Sequence, residues 1–309
     1  MKNLGLLIWL LTATMGLSQT SERNSRDISV SPFIDGTIMV PNPNEPSPLA
    51  IIIAGSGPTD RNGNQSMAKN NSLKFLAEGL YDKGIATFRY DKRILKQLKE
   101  KTLDEASISF NDFIKDAEDV ISYFNRSNAF SKIYIIGHSQ GSLVGMVAAQ
   151  SKVDGFISLA GAGQEIDDVI VDQIERNSPG LKESARKGFD DLRANGIALD
   201  YSPYLASIFR QEIQPFLISW MKYDPKEEIA KLRIPVLIIN GDKDFQVSVS
   251  EAELLKEAQP NAQYTIIPNM NHILKEVGDD YIENSKTYNN PSLPNMKEVT
   301  EVISAFILK

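Results

Sequence analysis

Hydrophobic residues along the chain follow two patterns, and the patterns alternate. Short, nearly uninterrupted apolar runs occur as "PLAIIIAGSG" (48–57), "KIYIIGHS" (132–139), "GFISLAGAG" (155–163) and "IPVLIINGDKD" (234–244). Runs of this kind fit strands buried on both faces. "FIDGTIMVPN" (33–42), which carries a turn, "IATFRYD" (85–91) and "AQYTIIPNMNH" (262–272), which ends in a loop, extend the series. Between the runs the apolar positions take helical spacing. Residues 72–83 place Leu73, Leu76 and Leu80 on one face and stop at Gly84, a residue suited to a helix C-cap. Residues 104–125 align Phe110, Phe113, Ile114, Ala117, Val120, Ile121 and Phe124 in one stripe. Further helices are predicted over 141–150, 250–258 and 296–308. Strand followed by helix, repeated, predicts an α/β fold: a mostly parallel central sheet with helices on both faces.

One segment breaks the rhythm. Residues 164–232 contain no strand-like run, only helical, charged and aromatic stretches with breakers at Pro179, Gly180, Gly196 and Pro203. They read as a helical lid inserted over the C-terminal edge of the sheet, within one domain spanning 28–309. The alternative is a plain surface elaboration. Tyr201, Tyr204, Phe209, Phe216, Trp220 and Tyr223 would cap a pocket in the first case and form the insertion's own small core in the second.

Composition narrows the possible partners. The chain has 309 residues, 42% hydrophobic and 24% charged, with a formal net charge of -7. An acidic balance without Lys/Arg blocks argues against a nucleic-acid footprint or a polybasic membrane patch. With no cysteine there is no disulfide, no thiolate metal site and no cysteine nucleophile. The opening "MKNLGLLIWLLTATMGLSQT" has a positive start, an apolar run too short for a membrane span and small residues at Gly16 and Ser18. It reads as an export signal over 1–18, cleaved after Ser18. The mature chain is then expected outside the cytoplasm, periplasmic or secreted, with no stable membrane anchor.

The chemistry concentrates around Ser139. "GHSQG" (137–141) sets this serine between Gly137 and Gly141, after a strand-like run and before a helix-like one. In such an elbow the chain turns so sharply that side chains two residues to either side would collide with the neighbouring strand and helix. A serine hydroxyl needs a base, and the chain has only two histidines. His138 adjoins Ser139 and its side chain points away, which leaves His272, in the loop after the last strand. The base needs a carboxylate, and "NGDKD" supplies Asp242 and Asp244. Asp244 is the better choice because it lies further into the loop, past the glycine that turns it; Asp242 would then be a turn residue. Two backbone N–H groups must hold the developing oxyanion. Gln140, directly after the nucleophile, is one candidate, and Ser56, in the glycine-rich loop after the first apolar run, is the other. Asp60, Arg61 and Asn62 border that loop, either touching substrate or holding the loop together.

With these pieces in order, the chain resembles the α/β-hydrolase superfamily, and within it the bacterial esterases and serine-aminopeptidase-like hydrolases. The motifs that carry the resemblance are "AGSGPTDRNGN" (54–64), "FRYDKR" (88–93), "GHSQG" (137–141), "NGDKD" (240–244) and "NH" (271–272). The resemblance implies an α/β-hydrolase fold with Ser139 as nucleophile, Asp244 as acid, His272 as base, and oxyanion donors at Ser56 and Gln140. Two features depart from the usual pattern: Ile94-Leu95-Lys96 follow "RYDKR", and His272 follows Asn271 where relatives usually carry glycine. The expected activity is hydrolysis of carboxylic esters, with no metal and no organic cofactor, and with Arg61 and Trp220 as candidate substrate contacts. A peptidase acting on short peptides is the alternative, kept open by Glu165, Asp167 and Asp168 as possible binders of a free amino terminus. A non-catalytic binding protein on the same fold would be marked by a missing triad member, and none is missing.

Overall fold

The computed structural model describes residues 23–309; the expected export signal lies outside them. One eight-stranded sheet organises the chain: β1 (Ser25–Ser31), β2 (Ile34–Met39), β3 (Leu49–Ile53), β4 (Ala86–Tyr90), β5 (Ile133–His138), β6 (Gly155–Leu159), β7 (Val236–Gly241) and β8 (Gln263–Ile267), in spatial order β1-β2-β4-β3-β5-β6-β7-β8. β1 and β2 form an antiparallel hairpin at one edge, and β2 pairs antiparallel with β4. From β4 onward every pairing is parallel.

Alternation along the central strands explains the continuous apolar runs. In β3, Leu49, Ile51 and Ile53 enter the core on one face, while Ala50 and Ile52 enter the core on the other. β5 splits in the same way, Ile133 and Ile135 against Tyr134 and Ile136, and so does β7, Val236 and Ile238 against Leu237 and Ile239. The first face is covered by the helix Phe110–Ser127, whose predicted stripe is buried, and by the helix Gln140–Ala148. The second is covered by Ser72–Asp82 and Lys297–Ile307. The long helix starts at Phe110, the first residue of its apolar stripe, rather than at the predicted 104. Asp104 caps a short 3-10 turn, and Ser109 then begins the helix through a capping box with Asp112.

Three elements lie outside the predicted set. β1 is polar and mostly exposed, so it lacks the apolar signature of the inner strands. Arg93–Glu100 buries no residue, and Tyr281–Thr287 is a short helix that buries only Asn284 and Thr287.

Between β6 and β7 the chain is helical: Ile166–Asn177, Lys182–Asn195, Ala206–Phe209, Gln214–Trp220 and Pro225–Ala230. Its aromatic residues divide. Phe189, Tyr201 and Phe209 belong to a local core, the rings of Phe189 and Phe209 meeting edge-on at 4.8 Å. Phe216, Trp220 and Tyr223 pack on Phe110 of the main body, with Trp220 stacked on it at 5.3 Å and also touching the local core. Tyr204 does neither and is 86% exposed. The insertion therefore has its own core and is also stitched to the sheet domain through the helix Phe110–Ser127.

Candidate active site

The loops that leave the C-terminal ends of β3, β5, β7 and β8 converge on one point, the usual place for chemistry on an open parallel sheet. β5 ends at His138, and the helix starts at Gln140, so Ser139 alone makes the turn. It adopts φ 54 and ψ -124, a conformation that costs free energy for any residue with a side chain. The flanking glycines are required by contact. A Cβ on Gly137 would lie 2.2 Å from the carbonyl oxygen of Gly141, and one on Gly141 would lie 2.4 Å from that of Ile53. The Ser139 N–H donates to the Leu159 carbonyl at 3.0 Å, tying the elbow to β6.

His272 and Asp244 meet although 28 residues separate them. The Nδ1–H of His272 donates to Asp244 Oδ2 at 2.7 Å, and both side chains are buried. A carboxylate accepts only, so Nδ1 carries the proton and Nε2 is the basic nitrogen. Asp244 is itself fixed: its Oδ1 accepts from the N–H groups of Gln246 (2.8 Å) and Val247 (2.9 Å). Asp242 accepts instead from the Asn269 N–H at 2.6 Å, holding the β7 turn against the loop that carries His272. Gly241 sits between them because a Cβ there would approach the Met270 carbonyl to 2.0 Å.

The unusual Asn271 also has a physical role. Its Oδ1 accepts from the N–H groups of Ile273 and Lys275, and its Nδ2 donates to Asn284 and Thr287. A side-chain amide thus builds the histidine loop and ties it to the helix Tyr281–Thr287. His138 contributes from the other side. Its Nε2–H donates to the His272 carbonyl at 2.8 Å, and burial pushes its pKa down to about 4, so it stays neutral. It supports the backbone of His272, a contact that adjacency in sequence gives no means of foreseeing.

The loop after β3 brings Ser56 beside the elbow. Gly55 lets it approach: a Cβ there would lie 3.2 Å from Ser139 Cβ. The Ser56 carbonyl accepts from Thr59 Oγ1 and Gln65 Nε2, both at 2.8 Å, which ties the loop down beside the elbow. Behind this loop lies a residue that the sequence reading overlooked. Lys92, only 7% exposed, donates from Nζ to Gln140 Oε1 at 2.6 Å and to the Gly55 carbonyl at 3.0 Å. Its ammonium also lies 4.2 Å from the centre of the Phe113 ring.

Two cavities flank Ser139. The larger, about 310 Å³, is lined by Ser56, Ser139 and Gln140 and by apolar side chains that include Leu143, Val169 and Trp220. The smaller, about 170 Å³, contains His272 with Gln65, Asn70 and Tyr288. Four of the predicted positions, Ser56, Ser139, Gln140 and Trp220, thus share the larger cavity, and His272 opens to the smaller one. Arg61 is in neither. Its guanidinium bonds to Asp91 at 2.7 Å and Asp27 at 3.0 Å, and its N–H also donates to Asp91. The structure does not bring it to the site; it braces the loop, as Asp60 does by accepting from the N–H groups of Asn62 and Asn64.

This strand order, with a serine elbow after β5 and the Asp and His loops after β7 and β8, is the α/β-hydrolase arrangement, and the chain has the α/β-hydrolase fold. No family model matches it. Over 264 residues it is 27% identical to the esterase EstD of Thermotoga maritima, covering 81% of this chain but only 60% of that protein. Among solved structures it is similar to Est1E from Butyrivibrio proteoclasticus, with TM-score 0.60 and 20% identity over 93% of this chain and all of that one (100%). The proline iminopeptidase of Mycobacterium smegmatis has the same fold at TM-score 0.54 and 11% identity, covering 92% of this chain and 98% of that one.

Proposed function

We propose that the protein is a carboxylic ester hydrolase acting through an acyl-enzyme. Ser139 Oγ attacks the ester carbonyl while His272 Nε2 takes its proton, and Asp244 stabilises the resulting imidazolium. The oxyanion is held by the N–H groups of Ser56 and Gln140. The intermediate collapses as His272 returns the proton to the departing alkoxide, which leaves as the alcohol. Water then attacks the acyl-enzyme by the same path, releasing the acid and restoring Ser139.

The observation that carries this reading is the buried His272–Asp244 hydrogen bond, which leaves Nε2 as the base in a cavity shared with Ser139. The two cavities orient the substrate. The leaving oxygen must reach the histidine, so the alcohol belongs in the small polar cavity that contains His272. The acyl group then takes the larger apolar cavity, whose 310 Å³ is about ten water volumes. A medium-length or aryl acyl chain on a small polar alcohol fits this division. Peptides fit less well. Asp167 and Asp168 are paired with Arg186, and Glu165 and Asp167 with Arg193, so these carboxylates are already neutralised, and none of them lines either cavity. The EstD relative, named as an esterase, supports the same class.

A fluorophosphonate probe should label the wild-type protein and leave Ser139→Ala unlabelled. A panel of p-nitrophenyl esters and aminoacyl anilides should show turnover of the esters first. Labelling of Ser139→Ala, or turnover of anilides alone, would overturn the reading.

A further inference from the structure

We propose that Lys92 is a positioning residue for the oxyanion hole, its single buried ammonium fixing both N–H donors at once. The inference rests on the ester-hydrolase reading and adds a group that neither the triad nor the elbow motif requires.

The geometry is specific. The carbonyl of Gly55 and the N–H of Ser56 belong to one peptide unit, and no peptide in the described chain is cis. In a trans peptide the two groups point in opposite directions. An ammonium hydrogen-bonded to the Gly55 oxygen at 3.0 Å therefore holds the Ser56 N–H in one direction, away from itself. It also polarises the amide, which makes that N–H a stronger donor; cooperative strengthening of this kind is of the order of 10–30% per bond. The second bond, at 2.6 Å to Gln140 Oε1, pins the residue that supplies the other N–H. Gln140 is itself buried, so its side chain has little freedom to leave that position.

Charge adds to geometry. A cation shielded from water acts through a lower effective dielectric than a surface lysine would. It stabilises the anionic tetrahedral intermediate more than the neutral ester, which is the differential binding that raises kcat. Burying a lysine for structure alone is costly, because two of its three ammonium protons here bond to neutral oxygens and no carboxylate touches it. Its charged surroundings are few. Asp116, on the helix Phe110–Ser127, attracts it but is held by Arg93, which also binds Asp112. Across the cavity that Lys92 lines, Glu105 and Arg210 pair with each other. Burial pushes the Lys92 pKa down to about 7, with Asp116 pulling it partly back.

The test reads fluorophosphonate labelling of Ser139 as a second-order rate between pH 6 and 10, which needs no known ester. Wild type should show an alkaline limb beginning between about pH 7 and 8, where Lys92 loses its proton, since such profiles report the free enzyme. Lys92→Met, checked for folding by circular dichroism, should label about 10- to 100-fold more slowly, below the full loss of an oxyanion donor. Its alkaline limb should vanish. On the best ester of the panel, kcat should fall by a similar factor with KM within about threefold, the pattern of a lost transition-state interaction. A folded Lys92→Met with the wild-type rate, or with the alkaline limb retained, would overturn the proposal. Should that variant not fold, a wild-type profile flat from pH 7 to 10 would overturn it equally. Complete absence of labelling in wild type would instead count against the ester-hydrolase reading.

Discussion

The loops at the C-terminal ends of the strands and the helical insertion between β6 and β7 both border Ser139, yet they are built on opposite principles. In the loops, backbone does the positioning. Glycines touch carbonyl oxygens, Asp244 is gripped by two N–H groups, and Asn271 folds the histidine loop around its own amide. In the insertion, side chains do it. An apolar core around Phe189 and Phe209 is joined to a network in which Arg186 and Arg193 neutralise Asp167. Backbone contacts tolerate almost no change in residue type, whereas side-chain packing accepts many solutions. On the proposed function, the first region would set the reaction and the second the molecule that undergoes it.

Substitutions on either side should therefore fail differently. Ser139→Ala should lower kcat by about 10⁴-fold or more, and Asp244→Asn by a comparable factor through the wrong histidine tautomer. Asp242→Asn, two residues away, should leave kcat within about tenfold, and loss of one hydrogen bond should lower Tm by only about 2 °C. Kinetics on the two variants separate the acid from the turn residue; equal losses would erase the distinction between them. In the insertion, Arg193→Ala should act on stability first. Asp167 is 2% exposed but keeps Arg186, and Arg193 is itself partly exposed, so the loss should be about 1–2 kcal/mol. Proteolysis of the insertion should accelerate while phosphonylation of Ser139 changes little; a collapse of labelling would mean that the two regions are not separable. Trp220→Ala should shift acyl-length preference by roughly tenfold, measured as kcat/KM across an ester series. The last test is the pH dependence of folding. His138 has its pKa depressed to about 4, so it contributes stability that is present above its unfolded value of about 6.5 and is lost as pH falls through that window. Unfolding titrations of His138→Asn should show a shallower loss between pH 6.5 and 4 than wild type.

The same division explains what could be read from the chain beforehand. Inner strands announce themselves because both faces are buried, and the elbow because Gly137 and Gly141 have no room for a side chain. With only two histidines, elimination pointed to His272, and the structure places it on Asp244 rather than Asp242. What stayed hidden depends on contacts between distant segments. β1 and the helix Arg93–Glu100 are polar because they lie at the periphery, and polarity alone does not distinguish them from loops. Arg61 has the charge of a substrate-binding residue, but Asp27 and Asp91, remote in sequence, consume it. Lys92 looked like one more cation in "FRYDKR" until the fold carried it beneath Gly55 and Gln140. The aromatic residues at 201–223 divide between two cores according to the route of the chain, which no local pattern specifies.

The backbone of Ser139 has a consequence for the ancestry of such proteins. A residue held at φ 54 and ψ -124 costs the fold on the order of 1–3 kcal/mol, and glycine alone would relieve it, at an entropic cost of roughly 0.5–1 kcal/mol. Ser139→Gly should therefore be inert and at least as durable as wild type. A gene copy released from selection for turnover would find this substitution easy to keep, since it discards chemistry without endangering the fold. Glycine at the elbow of a related chain is then the mark of a lineage that kept the scaffold and gave up the reaction.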